Sequence, residues 1–80
     1  MNKKNLIDLL GWYGVIAILL AYALASFSVI EPTAVIYQLL NLTGATSLLV
    51  ESWSKLDYPP AVLNMIWTLI AVIALISLFR

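Results

Sequence analysis

The placement of charge constrains this chain more than any other feature. Lys3, Lys4, Asp8, Glu31, Glu51, Lys55, Asp57 and Arg80 leave three charge-free runs, 9–30, 32–50 and 58–79, of 22, 19 and 22 residues. At about 1.5 Å per helical residue, each can cross a ~30 Å hydrocarbon layer with modest tilt. A charge near the bilayer centre costs ~2.5–3.5 kcal/mol on insertion scales, so apolar runs joined by charged connections suit a multi-span chain. Strands of a membrane barrel would show short alternating segments, and none is seen. The pattern predicts an all-α membrane protein, a bundle of three transmembrane helices over about 9–30, 32–52 and 59–79, with residues 1–80 as a single domain.

Composition agrees. Hydrophobic residues make up 64% and charged residues 10% of 80 residues, and a soluble chain of that length would bury only a marginal core. The formal net charge is zero, which leaves no basic face for nucleic acid. Cysteine and histidine are both absent. Thiolate or imidazole metal sites and Ser-His or Cys-His nucleophiles are therefore excluded by inventory, and neither cofactor nor metal is expected. Lys3 and Lys4 ahead of an apolar run, with Ala21-Tyr22-Ala23 further on, resemble a secretory signal. Against cleavage, the run continues to Ile30, and Gly11, Trp12, Tyr13 and Gly14 interrupt its first half.

Punctuation supports three helices. Glu31-Pro32 and Asp57-Tyr58-Pro59-Pro60 each place proline where a first helical turn tolerates the missing N–H. Both connections are short, so sequence neighbours should be antiparallel neighbours. Lys3, Lys4 and Lys55 fall on one side and Arg80 on the other. The positive-inside rule then puts the N-terminus in the cytoplasm, with Trp12, Tyr13, Trp53 and Tyr58 at that boundary.

The second run is unusually polar for a span. At 100° per residue, Tyr37, Asn41, Gly44 and Leu48 form one stripe, with Gln38 and Ala45 beside it and Ser47 on its flank. Thr46 lies on the opposite, leucine-rich face, where its hydroxyl can return to the carbonyl four residues back. In the third run Asn64, Trp67, Thr68, Ala71 and Leu75 share a face. In the first, Gly14, Ala17, Ala21 and Ala25 make a ladder of small residues that lets backbones approach closely, with Gly11 and Tyr22 at its edges. Asn41 should lie about 13 Å below the outer boundary, level with Tyr22, and Asn64 about 6 Å from the cytoplasmic one, level with Ser47. Two polar layers follow, Asn41 with Tyr22 and Asn64 with Ser47. The residues of interest are thus Tyr22, Tyr37, Gln38, Asn41, Gly44, Ser47, Asn64, Trp67 and Thr68. They serve either as interhelical glue, the commonest role of such groups, or as the lining of a pocket or path. Trp67 could be an aromatic platform beside Asn64 or fill space beside Gly44.

The segments GWYGVIAILLAYAL, YQLLNLTGATSLLVES and LNMIWTLIAVIAL resemble an uncharacterised family of small three-span bacterial inner-membrane proteins. Its motifs Y-x-L-L-N-L-x-G-A and L-N-x-x-W are matched by Tyr37, Leu40, Asn41, Gly44 and Ala45 and by Leu63, Asn64 and Trp67. The resemblance implies a multi-pass protein of the bacterial inner membrane. A looser similarity is to SWEET-type half-transporters, three-helix units that dimerise around a sugar path. Asn64 would match the asparagine on their third helix, but Ala25-Ser26 stands near where their first helix has Pro-Gln.

The expected function is a non-catalytic membrane module, structural or accessory. Its partners would be the lipid bilayer and either a second copy, a dimer being the commonest closed assembly, or a larger membrane complex. The alternative is a homodimeric half-transporter passing a small neutral solute by facilitated diffusion, since no run carries a charge for ion coupling. An enzyme is not expected, because the four acids lie in loops or at interfaces with no spacing suited to acid–base work.

Overall fold

The computed structural model describes residues 2–80, which form three helices: α1 (Lys3–Ser26), α2 (Val35–Ser54) and α3 (Tyr58–Leu78). No strand occurs among the described residues. Asn2 caps α1, its side chain accepting the Asn5 N–H at 2.8 Å. The helix therefore begins six residues before the charge-free run, because charge marks where oil could begin and not where a helix can.

Both inter-helix turns use one device. After α1, the Ser28 N–H reaches the Ala25 carbonyl at 3.1 Å and the Val29 N–H reaches that of Leu24 at 2.8 Å. After α2, the Leu56 N–H reaches the Trp53 carbonyl at 3.1 Å and the Asp57 N–H that of Ser52 at 2.9 Å. These are Schellman caps, whose left-handed residue is usually glycine. Here it is Ser28 at φ 60° and Leu56 at φ 57°, which strains the backbone by about 1–2 kcal/mol at each position. The first cap ends α1 at Ser26, short of the expected residue 30. Helix α2 also opens later than expected. Pro32 sits in a turn closed by the Ala34 N–H on the Glu31 carbonyl at 2.9 Å, and the helix starts at Val35. In α3 the prolines do stand in the first turn.

The three helices form a bundle centred on α2, which packs against both α1 and α3, while α1 and α3 do not approach each other closely. The long dimension is 37 Å. By length and composition α1 and α3 are each able to cross a membrane. Helix α2 falls short of that criterion, since Gln38, Asn41, Thr43, Thr46, Ser47, Glu51 and Ser52 interrupt it.

Small residues make the contacts. Those buried are Gly11, Gly14, Ala17 and Ala21 on α1, Gly44 and Ala45 on α2, and Ala61 and Ala71 on α3. The tightest crossing pairs Gly14 with Gly44. A Cβ on Gly14 would stand 2.6 Å from the Gly44 carbonyl oxygen, and one on Gly44 would stand 3.1 Å from the Gly14 carbonyl and 2.9 Å from Ile18 Cγ1. At Gly11 the obstacle is a side chain, Glu51 Cγ at 2.8 Å. Gly14→Val should therefore push α1 off α2 and destabilise the fold by about 1–3 kcal/mol or more. Gly11→Ala should cost less, because a side chain can move where a backbone carbonyl cannot. Thermal unfolding of the two variants in one detergent checks the order.

Candidate functional site

A groove of about 220 Å³ opens between α2 and α3, lined by Tyr37, Gln38, Asn41, Trp67, Ile70 and Ala71. Asn41 is its deepest polar group, only 5% exposed. Its Nδ2 donates to the Tyr37 carbonyl at 2.8 Å, and its Oδ1 accepts the Trp67 Nε1–H at 2.7 Å. The first bond fixes the amide on its own helix and the second ties α2 to α3. Trp67 remains 39% exposed, so its indole forms one wall of the groove. Gln38 uses its Nε2 on the Pro32 carbonyl at 3.1 Å, a tie from α2 to the preceding turn.

The remaining residues singled out in the sequence lie elsewhere. Tyr22 is 69% exposed and does not join Asn41. It is one residue past Ala21, hence about 100° around α1 from the small-residue ladder that makes the contact. Gly44 faces Ala17 and Ile18 of α1 and not Trp67. Ser47 is half-buried and lies with Leu10, Leu42, Thr43, Thr46 and Val50 on a separate shallow surface. Asn64 is buried, but its Nδ2 donates to the Pro60 carbonyl at 2.8 Å, so it returns to its own helix and makes no layer with Ser47. The Thr68 Oγ1 is buried with no hydrogen-bond partner among the described residues. The structure thus brings together Tyr37, Gln38, Asn41 and Trp67, and leaves Tyr22, Gly44, Ser47, Asn64 and Thr68 out of the groove lining.

Two further clusters join α1 to α2. Thr43 Oγ1 donates to the Leu39 carbonyl at 2.8 Å and lies 2.7 Å from the Tyr13 hydroxyl. Its only hydroxyl hydrogen is thereby engaged, so Tyr13 is the donor across the helices. At the end bearing the lysines, Lys55 Nζ stands 2.9 Å from both Asp8 Oδ1 and Glu51 Oε2. The Glu51–Lys55 spacing of four is legible in the sequence. Asp8 joins them only through the antiparallel packing. Trp53 and Tyr58 meet edge to face at this end, with ring centroids 5.7 Å apart.

The Asn41–Trp67 bond should behave as a coupled pair. In a double-mutant cycle of Asn41→Leu and Trp67→Phe, the interaction energy should be about 0.6 kcal/mol, the average for buried polar pairs in membranes, and at most ~1.7 kcal/mol. Unfolding free energies of the four proteins in micelles measure it.

The charged trio sets a pH window. Its hydrogen bond from Lys55 holds Asp8 below the usual carboxylate range, and Asp8 and Glu51 together raise Lys55 above the usual lysine range. A lowered acid stabilises the fold above its ordinary pKa and loses that contribution as pH falls; a raised base loses its own only at strongly alkaline pH. The trio is complete through the neutral range and fails first on acidification. Lys55→Met should return Asp8 to the usual carboxylate range, which a carbon-13 carboxyl titration would register.

No curated protein and no solved structure matches this chain. A family model does, over residues 7–80, a segment that includes all three helix cores and every residue of the groove. The chain belongs to that family, which is uncharacterised.

Proposed function

We propose that this protein is a three-span integral membrane protein, N-terminus in the cytoplasm, that acts as a non-catalytic, self-associating module. The observation that carries the proposal is the central position of α2. It is the most polar of the three helices, and it is the one flanked on both sides by helices apolar enough to span. A polar helix placed between two apolar ones can cross a bilayer because its amides and hydroxyls meet protein or return to their own backbone. Asn41, Thr43 and Thr46 each donate to the carbonyl four residues back, which supports that reading. Since α1 and α3 do not close on each other, part of α2 and the Asn41–Trp67 groove remain uncovered. Lipid tails offer no hydrogen bond to such a surface; another protein surface does. Asp8 and Glu51, two of the four acids, are engaged by Lys55, which favours a structural role for them.

The chain has no cysteine, so single introduced thiols report cleanly. Thiols placed by Thr33→Cys and Lys55→Cys should react with a membrane-impermeant reagent from opposite faces of sealed vesicles. Reaction of both from one face would remove the α2 crossing. Native mass spectrometry from lipid nanodiscs should show more than one copy; a monomer at every loading would overturn self-association.

A further inference from the structure

We propose that the groove formed by Tyr37, Gln38, Asn41, Trp67 and Ile70 is the docking face for a second copy of this chain, arranged in parallel about a two-fold axis along the membrane normal. The inference rests on the self-associating reading above and names the surface that carries it. Its starting point is the hydrogen-bonding capacity left open in the groove. The Gln38 amide nitrogen already serves the Pro32 carbonyl, and its Oε1 accepts nothing among the described residues. The Tyr37 hydroxyl likewise has no partner among the described residues, although Tyr37 is not fully exposed. One residue thus offers an O–H donor and its neighbour an acceptor.

Their position makes the pair self-complementary. Tyr37 and Gln38 are consecutive, so they differ in depth by only about 1.5 Å. A two-fold axis along the normal sets each residue against residues of equal depth in the other copy, and every contact occurs twice. The Tyr37 O–H of one copy can then donate to the Gln38 Oε1 of the other, and the reciprocal bond forms by symmetry. No solute is needed, and no polar atom of the pair is left facing oil. Deeper in the groove, Trp67 and Ile70 present an exposed aromatic and an exposed branched side chain on the same wall. Large aromatic anchors are what the centres of interfaces are enriched in. The indole is already oriented by Asn41, so docking would order little that is loose. A small neutral solute is the competing occupant, but the groove is smaller than the usual range for a drug-sized ligand, and its deepest polar side chain, Asn41, already engages its Nδ2 on the Tyr37 carbonyl and its Oδ1 on Trp67.

Single-cysteine variants in native membranes test this. Under mild oxidation Ile70→Cys should form a disulfide-linked dimer, while Leu39→Cys and Leu19→Cys, exposed on other faces, should stay uncrosslinked. Tyr37→Phe removes both symmetric bonds and should weaken the dimer about 5–10-fold, as two average intramembrane hydrogen bonds would. Cross-linking at Leu39→Cys or Leu19→Cys but not at Ile70→Cys would overturn the proposed face while leaving self-association intact. A monomer by native mass spectrometry would remove both. A monomer in which glycerol protects Ile70→Cys from thiol reagents, in a saturable way, would assign the groove to a solute instead.

Discussion

In a lipid bilayer, the setting proposed for this chain, helices gain nothing from leaving the oil, so whatever holds them together there must come from close contact and from hydrogen bonds that lipid cannot offer. In this protein the close contact is Gly14 against Gly44. A Cβ on Gly14 would stand 2.6 Å from the Gly44 carbonyl oxygen, where there is no room for it, and one on Gly44 would crowd the Gly14 carbonyl at 3.1 Å. That crossing fixes both the spacing and the register of α1 on α2. With the register set, Tyr13 comes opposite Thr43, and Asp8 arrives at the end where Lys55 can reach it. These two polar contacts are consequences of the glycine crossing. Isolated surface ion pairs contribute about 0–1 kcal/mol, too little to hold two helices in place alone.

The other side of α2 is held differently. Toward α3 the buried residues are Ala61, Asn64 and Ala71, and the direct side-chain bond between the helices is Trp67 to Asn41. So α2 meets α1 through the glycine crossing, the Tyr13–Thr43 hydrogen bond and the Asp8–Lys55 contact, and meets α3 through alanines and the single Trp67–Asn41 bond. Its polarity is less costly than its composition suggests. Asn41, Thr43 and Thr46 all return a donor to their own helix, as do Asn64 and Ser77 on α3. A hydroxyl whose hydrogen is engaged in this way needs no acceptor elsewhere, so Thr46 can stand on an exposed face, while an amide still has its oxygen to satisfy, as Asn41 does with Trp67.

That self-satisfaction also explains which features were legible in the sequence. The small-residue ladder of α1 is legible, because a run of Gly and Ala at helical spacing has few uses other than close packing: Gly14, Ala17 and Ala21 are buried, and only Ala25, at the end of the helix, is half-exposed. The inward direction of Asn41 and Asn64 was equally plain from the segregation of polar residues. Which helix each asparagine would address was not. Depth alone paired Asn41 with Tyr22 and Asn64 with Ser47, but depth says nothing about rotation. The structure turns Tyr22 outward and lets a long indole from α3 reach Asn41. The helix ends differ from those the charge pattern predicts for another reason. Schellman caps are recognised by glycine, and here Ser28 and Leu56 occupy the left-handed position. Pro32 marks a helix start by its chemistry, but it sits in the turn before α2, which begins at Val35. Three helices, by contrast, followed from charge spacing alone.

The two ends of the bundle differ in a way that bears on function. At the lysine-bearing end Lys55 binds both Asp8 and Glu51, and Trp53 and Tyr58 pack against each other at the same end. At the opposite end the donors and acceptors do not come out even. Gln38 spans back to Pro32 and Asn41 holds Trp67, but the Tyr37 hydroxyl and the Gln38 side-chain Oε1 have no hydrogen-bond partner among the described residues. The same groove continues along α3 through Ala71 and Ile70 to Trp67, where exposed apolar surface takes over from these polar groups. A surface that begins with unmatched hydrogen-bonding groups and continues into exposed apolar side chains is suited to a partner with the same gradient. A second copy has that gradient by construction, since it is the same surface met across an axis.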